Sequence, residues 1–140
     1  MANLTLNLYT DGACRGNPGY GGAGVVLTDE KGNIVGSIRK FLGLCTNNMA
    51  EYRALIIGLE EALRRHCRQL HIFLDSELLV NQVNGTYRVK NDKLKILMKD
   101  VKRLLASLDG YVIEHIGRDK NKMADRLANQ AIDEACPEQM

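Results

Sequence analysis

The order of apolar patterns along the chain is the feature that most limits its fold. Three strand-like segments come first, a long amphipathic helical segment follows, and helices and strands alternate to the end of the chain. Short turns can join the first three strands as an antiparallel meander, whereas strands that follow helical connections are placed parallel to the first. The pattern therefore predicts an α/β fold with a five-stranded mixed sheet flanked by helices. The expected strands are 4–10, 24–28, 34–42, 70–74 and 111–116, and the expected helices are 48–66, 77–83, 94–108 and a last one from about 121.

Length and composition predict one globular domain. The chain has 140 residues, of which 45% are hydrophobic and 26% charged, so residues 1–140 can share one core, with 137–140 as a loosely held tail. No apolar run approaches the roughly 20 residues of a membrane span, and the first residues lack the pattern of a signal peptide. We therefore expect a monomeric cytoplasmic protein without a membrane association.

The four cysteines indicate neither structural zinc nor a disulfide framework. They show no paired CxxC spacing and no cluster with histidine, so reduced thiols are expected in the cytoplasm. A bridge between Cys67 and Cys136 stays open as an alternative. The net charge of +2 is too small to indicate a polyanionic partner by itself.

Four acidic residues stand at the ends of predicted elements. Asp11 and Asp75 each end a strand, whereas Glu51 and Asp125 lie in the first turns of helices, on the apolar faces that must pack inward. A single acid at a helix start can serve only the helix dipole, with Asn47 or Asn48 as the cap. Ligands of such sheets bind beyond the carboxyl ends of the parallel strands, so we expect all four acids to meet there.

Four clustered carboxylates imply a cation. They repel one another and raise their own pKa values unless a positive charge neutralises them. Oxygen ligands without thiolate or a histidine cluster fit Mg²⁺, with Mn²⁺ as the alternative. Two such ions about 3.5–4 Å apart would activate a water and stabilise the leaving oxygen of a phosphodiester. The residues thus predict metal-dependent phosphoryl hydrolysis.

Four segments form a pattern that is specific in order and spacing: YTDGACRGNPG at 9–19, TNNMAE at 46–51, DS at 75–76 and HIGRDKNKMAD at 115–125. Together they resemble ribonuclease H of type I, in the short form that lacks a basic handle and a separate hybrid-binding domain. The resemblance implies endonucleolytic cleavage of the RNA strand in RNA–DNA hybrids, leaving 3′-hydroxyl and 5′-phosphate ends. It also implies that the metal-binding catalytic acids are Asp11, Glu51, Asp75 and Asp125.

The same resemblance implies a substrate groove. It assigns a phosphate pocket for the DNA strand to Asn17, Thr46 and Asn47, and a place beside the RNA strand to Cys14, Gly16 and Asn48. Amides and closely approaching backbone can recognise the 2′-hydroxyl of RNA, which both donates and accepts hydrogen bonds. For Asn17 and Asn47 a purely structural role in a turn or a helix cap is an equal alternative.

Two features depart from the family pattern. Arg118 stands in the loop where many members carry a histidine; because arginine stays protonated, we expect it to bind phosphate and not to act as a base. His115 is expected to be a structural residue of the sheet. The segment between Val83 and Leu94 holds no long basic handle, so the basic residues near it are candidates for electrostatic compensation. They are Arg88, Lys90, Lys93, Lys95, Lys99 and Lys102.

Two other functions remain open at this level. A related nuclease could act also, or mainly, on double-stranded RNA, and a non-catalytic module could bind RNA or hybrids without cleaving them. Four acids would repel a polyanion unless a metal were bound, which disfavours the second function.

Overall fold

A computed structural model describes residues 4–137, and it confirms the predicted five-stranded mixed sheet. The strands are β1 (Leu4–Gly16), β2 (Gly19–Thr28), β3 (Ile34–Cys45), β4 (Cys67–Leu74) and β5 (Gly110–His115). The helices are α1 (Asn47–Arg64), α2 (Glu77–Val83), α3 (Asp92–Ala106) and α4 (Lys122–Ala135), with a 3₁₀ turn at Arg118–Lys120. Of the predicted tail, only Pro137 lies within the described residues.

The sheet has the order β3-β2-β1-β4-β5. The pairs β1–β4 and β4–β5 are parallel, and β2 is antiparallel to both of its neighbours. The helix α1 packs on the sheet face that carries Leu8 and Thr10, and α3 packs on α1. The helix α4 covers the other face of β2, next to Gly22 and Gly24. The main apolar core lies between the sheet and the α1 and α3 helices, so the ends of β1 and β4 are held rigidly on one side by α1.

The glycine-rich segment that the sequence suggests as a turn region is mostly strand. β1 continues to Gly16 and β2 starts at Gly19, so only two residues form the turn between them. A Cβ on Gly24 would lie 1.9 Å from the carbonyl oxygen of Ala124 in α4, and one on Gly12 would lie 2.3 Å from the carbonyl carbon of Ala50 in α1. These glycines therefore let the helix backbones lie directly against the sheet.

The start of α1 differs from the prediction by one residue. Thr46 is the cap, because its hydroxyl accepts a hydrogen bond from the backbone N–H of Met49 at 3.2 Å; neither Asn47 nor Asn48 caps the helix. The helix begins at Asn47, so Glu51 falls in its second turn and not its first. The helix dipole acts mainly within the first turn, so it does not account for an acid at position 51.

Three further predictions concern the cysteines, His115 and membrane spans. Cys14, Cys45, Cys67 and Cys136 are all free thiols, so the Cys67–Cys136 bridge does not form. His115 is the last residue of the edge strand β5, where it is exposed and not part of the core, and its Nε2 lies 3.3 Å from the backbone oxygen of Asp75. Within residues 4–137, no helix has the length and apolarity to cross a lipid bilayer.

Candidate active site

Three of the four predicted acids meet at one edge of the sheet. Ligand oxygens of Asp11, Glu51 and Asp75 lie within 4.8 Å of one another. Thr10 pairs with Leu74 in the parallel β1–β4 ladder, so the residues that follow each of them, Asp11 and Asp75, emerge side by side. The strand register thus sets Asp11, which lies within β1, beside Asp75, the first residue after β4.

Glu51 reaches the same point from α1. Its Oε1 accepts a hydrogen bond from the backbone N–H of Gly12 at 2.7 Å. Because Gly12 has no side chain, α1 lies close enough to β1 for this contact. A bond from a rigid strand to the carboxylate holds Glu51 toward the other two acids.

The fourth acid, Asp125, lies in the first turn of α4 and lines the same cleft. It is outside the group whose oxygens lie within 4.8 Å, and it is exposed. It nevertheless contributes, as the smallest of the causes, to the raised pKa of Asp11. Asn129, one turn further along α4, donates to Asp125 Oδ1 at 3.3 Å and to its backbone oxygen at 3.0 Å.

Burial and mutual repulsion raise the proton affinity of this cluster. Burial first, and the negative charge of Glu51 second, raise the pKa of Asp11 from 3.8 to about 10; only 8% of Asp11 is exposed. Burial also raises the pKa of Glu51, although hydrogen bonds with Asp11 and Gly12 and the charge of Arg118 oppose the rise. The cluster consequently holds a proton at neutral pH when no cation is bound.

The donor chemistry fits a divalent cation. The three groups that approach one another most closely are carboxylates, which hard cations such as Mg²⁺, Mn²⁺ and Ca²⁺ prefer as ligands. A cation there would replace the retained proton and remove the repulsion between the carboxylates. The cluster is therefore an acidic metal-binding site for a divalent ion.

The acids open onto a polar cleft of about 600 Å³. Four of the substrate residues that the resemblance implied line it, namely Cys14, Asn47, Asn48 and Arg118. The other lining residues are Asp11, Gly12, Ala13, Glu51, Asp75, Ser76, Glu77 and Asp125. The N–H of Leu79 donates to the Ser76 hydroxyl, which caps α2. The one signal in the sequence for Ser76 and Glu77 is their position directly after Asp75.

Three predicted substrate residues lie beside the cleft and do not line it. Asn17 accepts a hydrogen bond from the backbone N–H of Asn47 at 3.1 Å, so it ties the β1–β2 turn to the start of α1. Thr46 caps that helix. Gly16 has a φ of +103°, a conformation that glycine adopts without strain. The structure shows a local structural role for each of these residues.

The fold and the acidic cleft place the chain among ribonuclease H-like α/β proteins with a carboxylate metal site. A family model described as "Reverse transcriptase-like" matches residues 9–131. "Ribonuclease H" of Hydrogenovibrio crunogenus is 36% identical over 143 aligned positions, which cover 92% of this chain and 96% of that protein. The chain belongs to the ribonuclease H family.

Two further comparisons are informative. The "Bifunctional protein Rv2228c" of Mycobacterium tuberculosis is 38% identical over 94% of this chain, but the match covers only 36% of that longer protein. The crystal structure of LC11-RNase H1 in complex with an RNA/DNA hybrid has a TM-score of 0.89 and 41% identity, and covers 93% of this chain and 98% of that one. The chain thus spans about a third of the mycobacterial relative and nearly all of LC11-RNase H1.

Proposed function

We propose that this protein is a metal-dependent endonuclease that hydrolyses the RNA strand of RNA–DNA hybrids and leaves 3′-hydroxyl and 5′-phosphate ends. The observation that carries the proposal is the cluster of Asp11, Glu51 and Asp75 in an open cleft, in a chain of the ribonuclease H family. The hybrid bound to LC11-RNase H1 supports the choice of substrate. Residues 1–140 form, in this proposal, one catalytic domain that acts as a monomer.

Asp11, Glu51, Asp75 and Asp125 would hold two Mg²⁺ ions, with Mn²⁺ as the alternative. When bound, such ions supply an activated water and stabilisation of the charge on the leaving oxygen. Asp125 lies at the rim of the cleft, where it can complete the ligand set from the side of α4. The bond from Gly12 keeps Glu51 turned inward, so its carboxylate is oriented before substrate arrives.

Arg118 would bind the scissile or product phosphate. It lines the cleft, and its positive charge acts on Glu51, which places the guanidinium close to the acids. A guanidinium can contact two phosphate oxygens at once. A guanidinium is not a base near neutral pH, so Arg118 would act by binding phosphate and not by accepting a proton.

The groove beside the acids would bind the two strands of the hybrid. In this assignment Asn17, Thr46 and Asn47 contact a phosphate of the DNA strand, and Cys14, Gly16 and Asn48 lie along the RNA strand. The hydrogen bond between Asn17 and Asn47 supports the first set, since it joins the two segments that form the pocket. Cys14 and Asn48 line the cleft near the acids, which supports the second set.

A side-by-side cleavage assay tests the substrate. We expect a labelled RNA–DNA hybrid to be cut internally in Mg²⁺, faster than double-stranded RNA of the same sequence or a DNA duplex with one ribonucleotide. The ends of the fragments identify the 3′-hydroxyl and 5′-phosphate products. Faster cleavage of double-stranded RNA would show that double-stranded RNA, and not the hybrid, is the main substrate. Hybrid binding without any cleavage would show that the protein is a binding module and not a nuclease.

The basic residues of α3 would supply part of the electrostatic affinity for the hybrid. Lys95, Lys99 and Lys102 are all exposed, but Lys102 also donates to the backbone oxygen of Val83 at 2.7 Å and so holds the end of α2. If Lys95 and Lys99 contact phosphates, the double variant Lys95→Ala/Lys99→Ala weakens binding and lowers the slope of log K against log salt concentration by roughly 1.5–2. Fluorescence anisotropy over a salt series measures that slope.

The matched control replaces Lys31 and Lys40 by alanine. Both are exposed, and they lie in the β2–β3 turn and on β3, away from the residues that line the cleft. This pair removes the same net charge, so a general charge effect would change both slopes equally. An unchanged slope in the α3 variant excludes these lysines from the interface.

A further inference from the structure

We infer that Asn121 is the positioning residue of the metal site, and that its buried carboxamide sets Asp75 relative to Asp11 and Asp125. This role rests on the proposed function, because it concerns the carboxylates that would hold the ions. Asn121 lies at the start of α4, four residues before Asp125. It does not line the acidic cleft, so its effect on the site is indirect.

The side chain of Asn121 bridges β1 and the residue after β4, at the point where the pairing of these two strands stops. Its Nδ2 donates to the backbone oxygen of Thr10 at 2.9 Å and to Asp75 Oδ2 at 2.8 Å. Thr10 is the residue before Asp11, so one amide group contacts both strands at the positions where the acids emerge. The distance between β1 and the Asp75 carboxylate is thereby fixed by a single rigid group.

The backbone of Asn121 adds a third connection. Its carbonyl oxygen accepts a hydrogen bond from the N–H of Asp125 at 3.1 Å. Asn121 is thus bonded to Asp75 itself, to Asp125 and to the neighbour of Asp11. Of these contacts, only the one to Asp75 reaches a carboxylate directly.

The orientation of the amide shows which contact it serves. Asn121 is 2% exposed, and its Oδ1 is buried with no hydrogen-bond partner among residues 4–137. Rotating the amide by half a turn would direct Oδ1 toward two acceptors, the Thr10 carbonyl and the Asp75 carboxylate. Buried unpaired acceptors are rare in proteins because they are unfavourable. In the observed orientation Asn121 Oδ1 has no partner in the described part of the chain, and Nδ2 is free to donate to Asp75.

The hydrogen bond that Asn121 donates to Asp75 acts on a carboxylate that would bind a metal ion. It fixes the rotation of the carboxylate. The carboxylate is then ordered before a cation binds, so less ordering is required on binding. Loss of such an outer contact lowers metal affinity by about 10–100-fold in other metal sites.

Calorimetric titration with Mn²⁺ alone tests this role without measuring catalysis. Asn121→Leu is similar in size and removes both donations, and Asn121→Ser is a smaller change that also shortens the side chain. We expect both variants to bind Mn²⁺ about 10–100-fold more weakly than the unchanged protein, at a temperature well below the unfolding transition of each. Thermal unfolding with a chelator present reports the separate loss of stability.

The control is Gln82→Leu, which removes a different buried hydrogen bond. Gln82 is 9% exposed, accepts from the hydroxyl of Tyr52 and does not line the cleft. We expect this variant to unfold at a lower temperature and to bind Mn²⁺ normally. Unchanged affinity in both Asn121 variants would overturn the inference, as would an equal loss in Gln82→Leu. If the protein without substitutions bound no divalent ion, both the proposed function and the inference about Asn121 would be wrong.

Discussion

Asp75→Asn is expected to abolish hybrid cleavage, with a loss of at least about 10³-fold in kcat/KM. Asparagine has the same shape, and its side-chain oxygen can still accept from Asn121, so the fold and the cleft are retained. The negative charge is lost from a group whose oxygens lie within 4.8 Å of those of Asp11 and Glu51. A metal-bound water and leaving oxygen account for several kcal/mol of barrier lowering, and about 4 kcal/mol corresponds to 10³-fold. Single-turnover cleavage of a labelled hybrid in Mg²⁺ measures the effect.

A surface acid provides the comparison for this variant. Asp109 is exposed and lies 3.4 Å from Arg68, near the opposite end of β4. Asp109→Asn makes the same chemical change and should leave the cleavage rate within about twofold of the unchanged protein, as expected for surface substitutions. Anisotropy should show that Asp75→Asn still binds the hybrid. Activity of Asp75→Asn within tenfold of the original would contradict the proposed role of the cluster.

Asp11→Asn is expected to remove activity and, with a chelator present, to make the protein more stable at pH 8 by about 1–2 kcal/mol. Functional sites often gain stability when their charged groups are neutralised. The pKa of Asp11 is raised from 3.8 to about 10 by burial and by the charge of Glu51. The folded protein therefore keeps a proton that the unfolded chain releases. The stability that this proton provides is complete below pH 3.8 and is lost as the pH rises toward about 10. Because asparagine does not titrate, the advantage of the variant grows between pH 5 and 9.

Denaturant unfolding at several pH values, with the metal chelated, measures this difference. Asp29→Asn is the matched control, because hydrogen bonds to Asp29, first from the backbone of Asn33, lower its pKa. Its contribution is present above the unfolded pKa and lost as the pH falls through the lower folded value, so the control should not stabilise the protein at pH 8. If Asp11→Asn were less stable than the unchanged protein under these conditions, repulsion within the cluster would not be a source of instability.

Metal binding to the site should release a proton for the same reason. A cation that occupies the cluster replaces the proton held by Asp11, so affinity rises with pH over the range in which that group titrates. The carboxylates of the acidic cluster thus lower the stability of the metal-free protein, and the same carboxylates allow it to bind a cation. Asp11 accounts for both effects, because its burial raises its pKa and also places it among the other acids.

The amino-acid sequence by itself determined the element order, the parallel arrangement of β1, β4 and β5 and the meeting of Asp11, Glu51 and Asp75, whereas Asp125 lies outside their close group. Apolar periodicity is a local property from which strands and helices can be predicted. The rule that ligands bind at the carboxyl ends of parallel strands then predicts where in the fold the site lies. Asp11 and Asp75 are brought together as expected, because β1 and β4 are neighbours, although β1 continues past Asp11 to Gly16. The motifs added the family and the proposed substrate.

Only the tertiary structure decided what the glycines and Asn121 do. Gly24 lies against Ala124, one hundred residues later, and the amide of Asn121 reaches Thr10 across 111 residues. Local periodicity carries no information about such contacts, since they depend on how closely two finished elements pack. A glycine in a strand therefore reads as a turn until the helix against it is known. An asparagine before a helix likewise reads as a cap until its amide is seen to bridge two strands.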